Sequence, residues 1–272
     1  MRFRSWLCAP ALKCNLMGKA LEVAADIALF DLEDSVPSEA KCAARAALLA
    51  HFRERPPVAT AVRINSLATY EGLKDLLFLL DHAICPDVLM LPKALLPAEC
   101  GLAASLLKER GCNAVKVFAI IETVASLWSL RALGGKPSGL DGLIFGAADF
   151  AADLGVAPTA ADLRFVRQEI VLAARKFGVV AIDSPCFHLQ DEVRLAREAR
   201  NAHRLGFSGK IAIYPTQVAT INELFTHSPQ MLERARRLVD ASEHNPDSAI
   251  VRVGDEMIGP PFVKYARHIL SS

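Results

Sequence analysis

Aromatic residues are few in this 272-residue chain, at 7%, and neither sign of charge is in excess. With 31 Lys and Arg against 30 Asp and Glu the formal net charge is +1, which leaves no basic footprint for a nucleic acid. Long apolar runs are missing too. Stretches such as Leu76 to Leu80 are far too short to cross a bilayer, so no membrane partner is expected. Met1 to Ala20 is broken by Pro10, Lys13 and Lys19 and lacks the apolar segment of a secretory signal. The cysteines, Cys8, Cys14, Cys42, Cys85, Cys100, Cys112 and Cys186, form no Cys-x-x-Cys pair for zinc or dithiol chemistry. Their apolar neighbours suggest small buried hydrophobes in a reducing cytoplasm. After the first apolar run, Ser5 to Pro10, no glycine appears until Gly18, which argues against the phosphate loop of a doubly wound dinucleotide fold.

What is present is core material: 52% of the residues are hydrophobic and 22% charged, which excludes disorder. Eight short apolar runs recur, each followed by a longer amphipathic stretch. They begin at Ser5, Ile27, Thr60, Val88, Val115, Gly142, Val179 and Lys210. Such runs read as parallel strands buried on both faces, and eight strand–helix units fill one (β/α)8 barrel. No Pro/Gly/Ser-rich linker or shift in composition marks a boundary. The expected organisation is a barrel over residues 1–245, with a C-terminal lid and helix over 246–272 belonging to the same domain.

In such a barrel the active site forms at the carboxyl ends of the strands. Those ends carry Glu33 and Asp34, Arg63 and Asn65, Lys93, Glu122, Asp149 and Asp183. One acid after an apolar run is an ordinary helix cap. Several charged ends converging on one mouth are costly to bury unless a ligand or metal organises them. Acids outnumber bases there, and no histidine stands at any strand end. Glu122 and Asp149, from separate strands, suit a hard cation bound by oxygen; magnesium needs only one or two protein carboxylates, whereas zinc would want His or Cys. Arg63 offers the planar fork that grips a carboxylate. Metal and arginine together fit a substrate with a carboxylate beside a chelating oxygen, a 2-oxo or 2-hydroxy acid.

Ile27 to Val36 (IALFDLEDSV), Val62 to Asn65, Met90 to Lys93, Ile120 to Thr123, Gly146 to Phe150 and Ala181 to Asp183 resemble the citrate lyase beta subunit-like family of the HpcH/HpaI aldolase group. That family includes malyl-CoA and citramalyl-CoA lyases, and the resemblance runs from Arg4 to Leu270. It implies a Mg2+-dependent (β/α)8 lyase, a homotrimer or hexamer, that cleaves the C–C bond of a 3-hydroxyacyl thioester and so binds an acyl-CoA and a 2-oxo acid. By the same resemblance Glu122 and Asp149 match the metal ligands, Arg63 the substrate-carboxylate residue, and Glu33 and Asp34 an acidic pair beside the metal. Glu33, Asp34 and Arg63 are thus the expected catalytic residues. Arg63, Glu122 and Lys93 are the expected substrate contacts, and Lys13 and Lys19 the expected partners of the CoA phosphates.

Three positions depart from the family pattern. Pro10-Ala11 and Lys13 stand where Pro-Gly and then Arg are usual, and Tyr214-Pro215 replaces His-Pro after the eighth strand. Met257-Ile258-Gly259 replaces the Met-Ile-Asp of a lid whose Asp acts on the neighbouring subunit's substrate, with Asp255 and Glu256 the nearest acids. The expected reaction is cleavage of citramalyl-CoA to acetyl-CoA and pyruvate. Malyl-CoA and citryl thioesters are the alternative substrates, and a barrel that binds metal and oxo acid without turnover is the alternative function.

Overall fold

The computed structural model describes residues 1–13, 15–53, 57–159, 161–244 and 250–270. Eight strands, β1 (Ser5–Pro10), β2 (Ile27–Asp31), β3 (Ala59–Arg63), β4 (Val88–Leu91), β5 (Lys116–Ile121), β6 (Gly142–Phe145), β7 (Val180–Asp183) and β8 (Gly209–Ala212), close into a parallel barrel. Each of the eight apolar runs forms one of these strands, and β8 returns to pair with β1 through Trp6 opposite Ile211. The intervening helices are α1 (Leu16–Glu22), α2 (Lys41–His51), α3 (Tyr70–Asp81), α4 (Ala98–Glu109), α5 (Val124–Arg131), α6 (Ala147–Asp153), α7 (Arg164–Phe177), α8 (Glu192–Leu205) and α9 (Gln217–Leu224). Among the described residues no helix is long and apolar enough to cross a membrane.

The two-residue alternation of a strand sorts the side chains into two cores. Trp6, Ile27, Leu29, Ala61, Val88, Met90, Phe118, Ile120, Ile144, Ile182 and Ile211 fill the barrel interior. Their neighbours, among them Leu7, Phe30, Val62, Leu89, Ala119, Phe145 and Ala212, face the helices. The same parity decides which charged residues reach the mouth. Asp31 follows Ile27 and Leu29 on the interior face, Arg63 follows Ala61, and Glu122 follows Ile120. Asp183 follows the interior Ile182 and therefore faces the helix layer. As the end of an apolar run Asp183 is expected at the mouth; the structure places it outside the barrel wall instead, paired with Lys210 and Arg167.

Two compact units divide the chain, Met1–Phe225 and Thr226–Ser272. The second contains α10 (Pro229–Glu243), the hairpin strands β9 (Val251–Val253) and β10 (Glu256–Ile258), and α11 (Pro260–Leu270). Ser228 caps α10 by accepting the Met231 N–H, with Pro229 at the first helical position. Ala235 and Leu238 of α10 pack with Ile258, Val263, Ala266 and Ile269. The helix α10 was expected within the barrel; its buried stripe is matched instead by α11. The expected boundary between residues 245 and 246 lies outside the described residues. Glu256 is tied to Arg234 of α10, and Asp255 is fully exposed at the hairpin tip.

The cysteines bring a correction. Cys85, ahead of β4, and Cys112, ahead of β5, are joined in a disulfide with Cα atoms 5.5 Å apart. β4 and β5 are adjacent, with Val88 opposite Lys116, so the loops feeding them lie side by side. Cys100 and Cys186 are buried thiols as expected, Cys8 is half-buried, and Cys42 is exposed. Cys14 lies outside the described residues.

Candidate active site at the mouth of the barrel

Asp31 and Arg63 lie opposite each other in the parallel register of β2 and β3. That pairing produces a two-pronged contact: Arg63 Nε donates to Asp31 Oδ1 at 2.6 Å and Nη2 to Oδ2 at 2.7 Å. Asp31 also accepts the N–H groups of Glu33 and Ser35. Burial opposes its ionisation, but the Arg63 guanidinium and these N–H donors outweigh that and hold it below the usual carboxylate range. The third nitrogen of the guanidinium, Nη1, lies 3.0 Å from Glu33 Oε2 and 3.7 Å from Asp34 Oδ2. The fork expected to be free for substrate is thus engaged on each nitrogen, Nε and Nη2 by Asp31 and Nη1 by Glu33. Asp31 itself was missed, because the run was read as ending at Glu33 and Asp34.

Glu33 is buried, whereas the Asp34 side chain is 55% exposed. A cage behind them fixes the chain that carries Glu33. The buried Lys41 ammonium of α2 donates to the carbonyls of Leu32 and Glu33 and to Asn65 Oδ1, each at 2.7 Å. Asp75 of α3 accepts the Asn65 N–H and side-chain amide, and is paired in turn with Arg45 of α2. Asn65 therefore supports the site from behind the mouth. Lys41, Arg45 and Asp75 are positioning residues that no strand-end pattern could reveal; they read as ordinary charges on amphipathic helices.

Glu122 directly follows β5 and is buried to 1% exposure. Gly146, after β6, makes room for it: a Cβ there would come within 2.4 Å of Glu122 Oε2 and of its Cβ. Burial pushes the Glu122 carboxyl up to about 8, with Glu33 adding to the shift. Burial likewise raises Glu33, against the opposing effect of Arg63. Asp149, in the first turn of α6, completes the acidic set. Lys93 follows β4, and its Nζ donates to Glu33 Oε1 at 2.5 Å and lies 3.8 Å from Asp149 Oδ1 and 3.9 Å from Glu122 Oε1. The structure therefore brings Glu33, Asp34, Arg63, Lys93, Glu122 and Asp149 to one mouth.

The two lysines expected near CoA are less closely placed. Lys13 is exposed in the turn after β1, its N–H bonded to the Pro10 carbonyl. Lys19 is on α1 and holds Glu22 of the same helix at 2.8 Å.

Among the described residues no three His, Cys, Asp or Glu side chains converge closely enough to enclose a metal alone. The donors present still fit magnesium, which takes oxygen ligands from one or two carboxylates and leaves the rest to substrate and water. Glu122 Oε1 and Asp149 Oδ1 each lie within 4 Å of the Lys93 ammonium, and the buried Glu33 Oε2, ion-paired with Arg63 Nη1, accepts no hydrogen bond.

A family model described as HpcH/HpaI aldolase/citrate lyase matches residues 4–215, which spans the barrel and every one of these side chains. The chain belongs to this family. By that membership it is a lyase of the aldolase/citrate lyase type. The citrate lyase subunit beta-like protein of Deinococcus radiodurans is 33% identical over 98% of this chain and 96% of its own length. The human mitochondrial citramalyl-CoA lyase is 31% identical over 90% of this chain and 78% of its own. Among solved structures, protein CitE of Mycobacterium tuberculosis in complex with magnesium, acetoacetate and coenzyme A aligns with 29% identity and a TM-score of 0.80, covering 99% of this chain and 97% of that one.

Proposed function

We propose that this aldolase/citrate lyase family member is a magnesium-dependent lyase that splits a 3-hydroxyacyl thioester into a 2-oxo acid and a shorter thioester. The observation that carries the reading is the meeting, at one barrel mouth, of an arginine nitrogen and an all-oxygen cation site. Glu122 and Asp149 would hold the metal, as they do not compete with any imidazole or thiolate for it. Magnesium, when bound there, supplies Lewis acidity that lowers the pKa of the substrate hydroxyl and offsets negative charge on its oxygen.

The protein's own groups do the rest. Arg63, locked against Asp31, would exchange the Glu33 contact of its Nη1 for the substrate carboxylate and so fix the scissile bond. Glu33, between Arg63 and Lys93, accepts the hydroxyl proton. The oxygen's electron pair then forms the oxo-acid carbonyl, the carbon–carbon bond breaks, and its electrons pass into a thioester enolate that takes back a proton. Asp34, exposed at the same loop, relays protons between Glu33 and solvent. The CoA phosphates fall to Lys13 and to Lys19, which must release Glu22 to take them.

For substrate we favour citramalyl-CoA, cleaved to acetyl-CoA and pyruvate, because pyruvate satisfies metal and arginine without a further cation. Malyl-CoA and a citryl thioester, on CoA or on a carrier protein, are the competing choices. Incubating the enzyme with each thioester and scoring pyruvate, glyoxylate and oxaloacetate decides among them. Release of pyruvate alone supports the assignment; Mg2+ and oxo-acid binding with no cleavage of any thioester identifies a non-catalytic barrel.

Arg63→Lys tests the clamp. Lysine keeps the charge and loses the planar fork, so it cannot serve Asp31 and a substrate together. The expected loss in kcat/KM corresponds to about 2–5 kcal/mol, the cost of truncating a hydrogen-bonded charge pair. A lowered Tm with unchanged kcat/KM would instead assign Arg63 to Asp31 alone.

A further inference from the structure

Lys93 is built into the mouth more firmly than a residue that only touches substrate needs to be. Its backbone lies in the left-handed region, at φ 52°, which is unfavourable for any side chain with a Cβ. Two contacts hold it there. Its N–H donates to Glu122 Oε1 at 2.8 Å, and its ammonium donates to Glu33 Oε1 at 2.5 Å. From that position the ammonium also lies within 4 Å of Asp149 and Glu122. One side chain thus faces three carboxylates from three segments, two of them buried. Buried carboxylates this close repel unless a cation stands between them. A dication on Glu122 and Asp149 would share those same oxygens with an ammonium already beside them, and like charges at such a distance oppose each other strongly.

We propose that Lys93 is a built-in counter-cation of the magnesium site: it stabilises the Glu33–Glu122–Asp149 cluster when no dication is bound, and it weakens dication binding so that the metal remains exchangeable. This rests on Glu122 and Asp149 being the ligands. A lysine suits the role because its compact charge rides on a flexible stem that can withdraw as the metal enters, keeping its hold on Glu33. A lysine that served only the substrate would leave metal affinity unchanged.

The test uses the full chain as wild type, Lys93→Met and Lys93→Arg, with no substrate added. Methionine matches the lysine stem out to Cε without the ammonium and keeps the Cβ, so the backbone strain is the same in all three proteins. Mg2+ affinity is measured by titration calorimetry, and Tm is measured in EDTA and in saturating Mg2+. Lys93→Met is expected to bind Mg2+ about tenfold tighter than wild type, from removal of a like charge within 4 Å. Its Tm in EDTA falls below wild type and the gap closes in Mg2+, while Lys93→Arg stays near wild type in both. Should Lys93→Met fold only when Mg2+ is added, the proposal is supported; should it stay unfolded at any Mg2+ concentration, it is overturned. Unchanged or weaker Mg2+ binding by folded Lys93→Met also overturns it. Absence of Mg2+ binding by the wild type removes the ligand assignment itself, a different outcome on the same titration.

Discussion

Replacing Glu122 with glutamine is expected to cost at least about a thousandfold in turnover, because it takes away one of the two carboxylates proposed to hold the magnesium ion. The substitution is nearly isosteric, so the cradle opposite Gly146 and the Lys93 N–H contact to Oε1 keep their shape. The charge, however, is gone, and Mg2+ affinity should fall by tenfold or more. Stability should move the other way. Glu122 is buried beside Glu33, and its carboxyl is pushed up to about 8 by that environment, so the ionised form is unfavourable there without a dication. A neutral amide removes the unfavourable charge. The Tm of Glu122→Gln measured in EDTA should therefore equal or exceed that of wild type. Excess Mg2+ should stabilise wild type, by mass action on the folded state, and leave the variant almost unmoved. Turnover retained in the variant, or full wild-type activity in EDTA, would contradict the metal assignment. A large drop in Tm in EDTA would show that Glu122 has a structural partner that outweighs the cost of its burial.

The contrast between Glu122 and Asp183 shows how far the sequence could be read. Both are acids at the ends of apolar runs, and run-ends alone do not separate them. Strand parity does: Glu122 follows the interior Ile120, whereas Asp183 directly follows the interior Ile182. Asp31 was passed over for the converse reason. It has the parity of Ile27 and Leu29, yet the acidic pair after it looked like the natural end of the run. Glu33, Arg63, Lys93, Glu122 and Asp149 were legible because a parallel barrel carries its strand ends to one place whatever the loops do. The cage of Lys41, Arg45 and Asp75 was not, since its members are spread over two helices and acquire meaning only when α2 and α3 pack against the mouth. The second unit was hidden for a similar reason. An amphipathic helix such as α10 shows that it has a buried face, but its periodicity cannot say which neighbour covers that face.

The misread Asp183 leads to the second large effect, on stability. Lys210 and Asp183 are both fully buried, with Nζ 2.7 Å from Oδ2. Lys210 also donates to the Ser184 carbonyl at 2.6 Å and lies 3.7 Å from Glu198, while Arg167 donates to Asp183 Oδ1 at 2.9 Å. Breaking a buried pair by removing one partner typically costs about 3–5 kcal/mol, because the charge left behind stays desolvated. Lys210→Met should therefore lower Tm sharply, with Arg167 alone left to balance Asp183. The double variant Asp183→Leu, Lys210→Met should recover part of that loss, since no buried charge is then stranded. Acid gives an independent sign. Burial works against the Asp183 carboxylate, but Lys210 and Arg167 prevail and hold its pKa below the ordinary value. A carboxylate whose pKa is lower folded than unfolded contributes stability that is present above the unfolded value, about 4, and is lost as pH falls through the folded one. The deficit of Lys210→Met relative to wild type should accordingly be full at neutral pH and shrink below about pH 4, as wild type loses the same interaction. A deficit constant across that range would assign the loss to packing of the lysine stem. Because the pair faces the helix layer, kcat/KM measured well below the variant's Tm should match wild type, and a drop there would mean that the α7–α8 wall transmits its strain to the mouth.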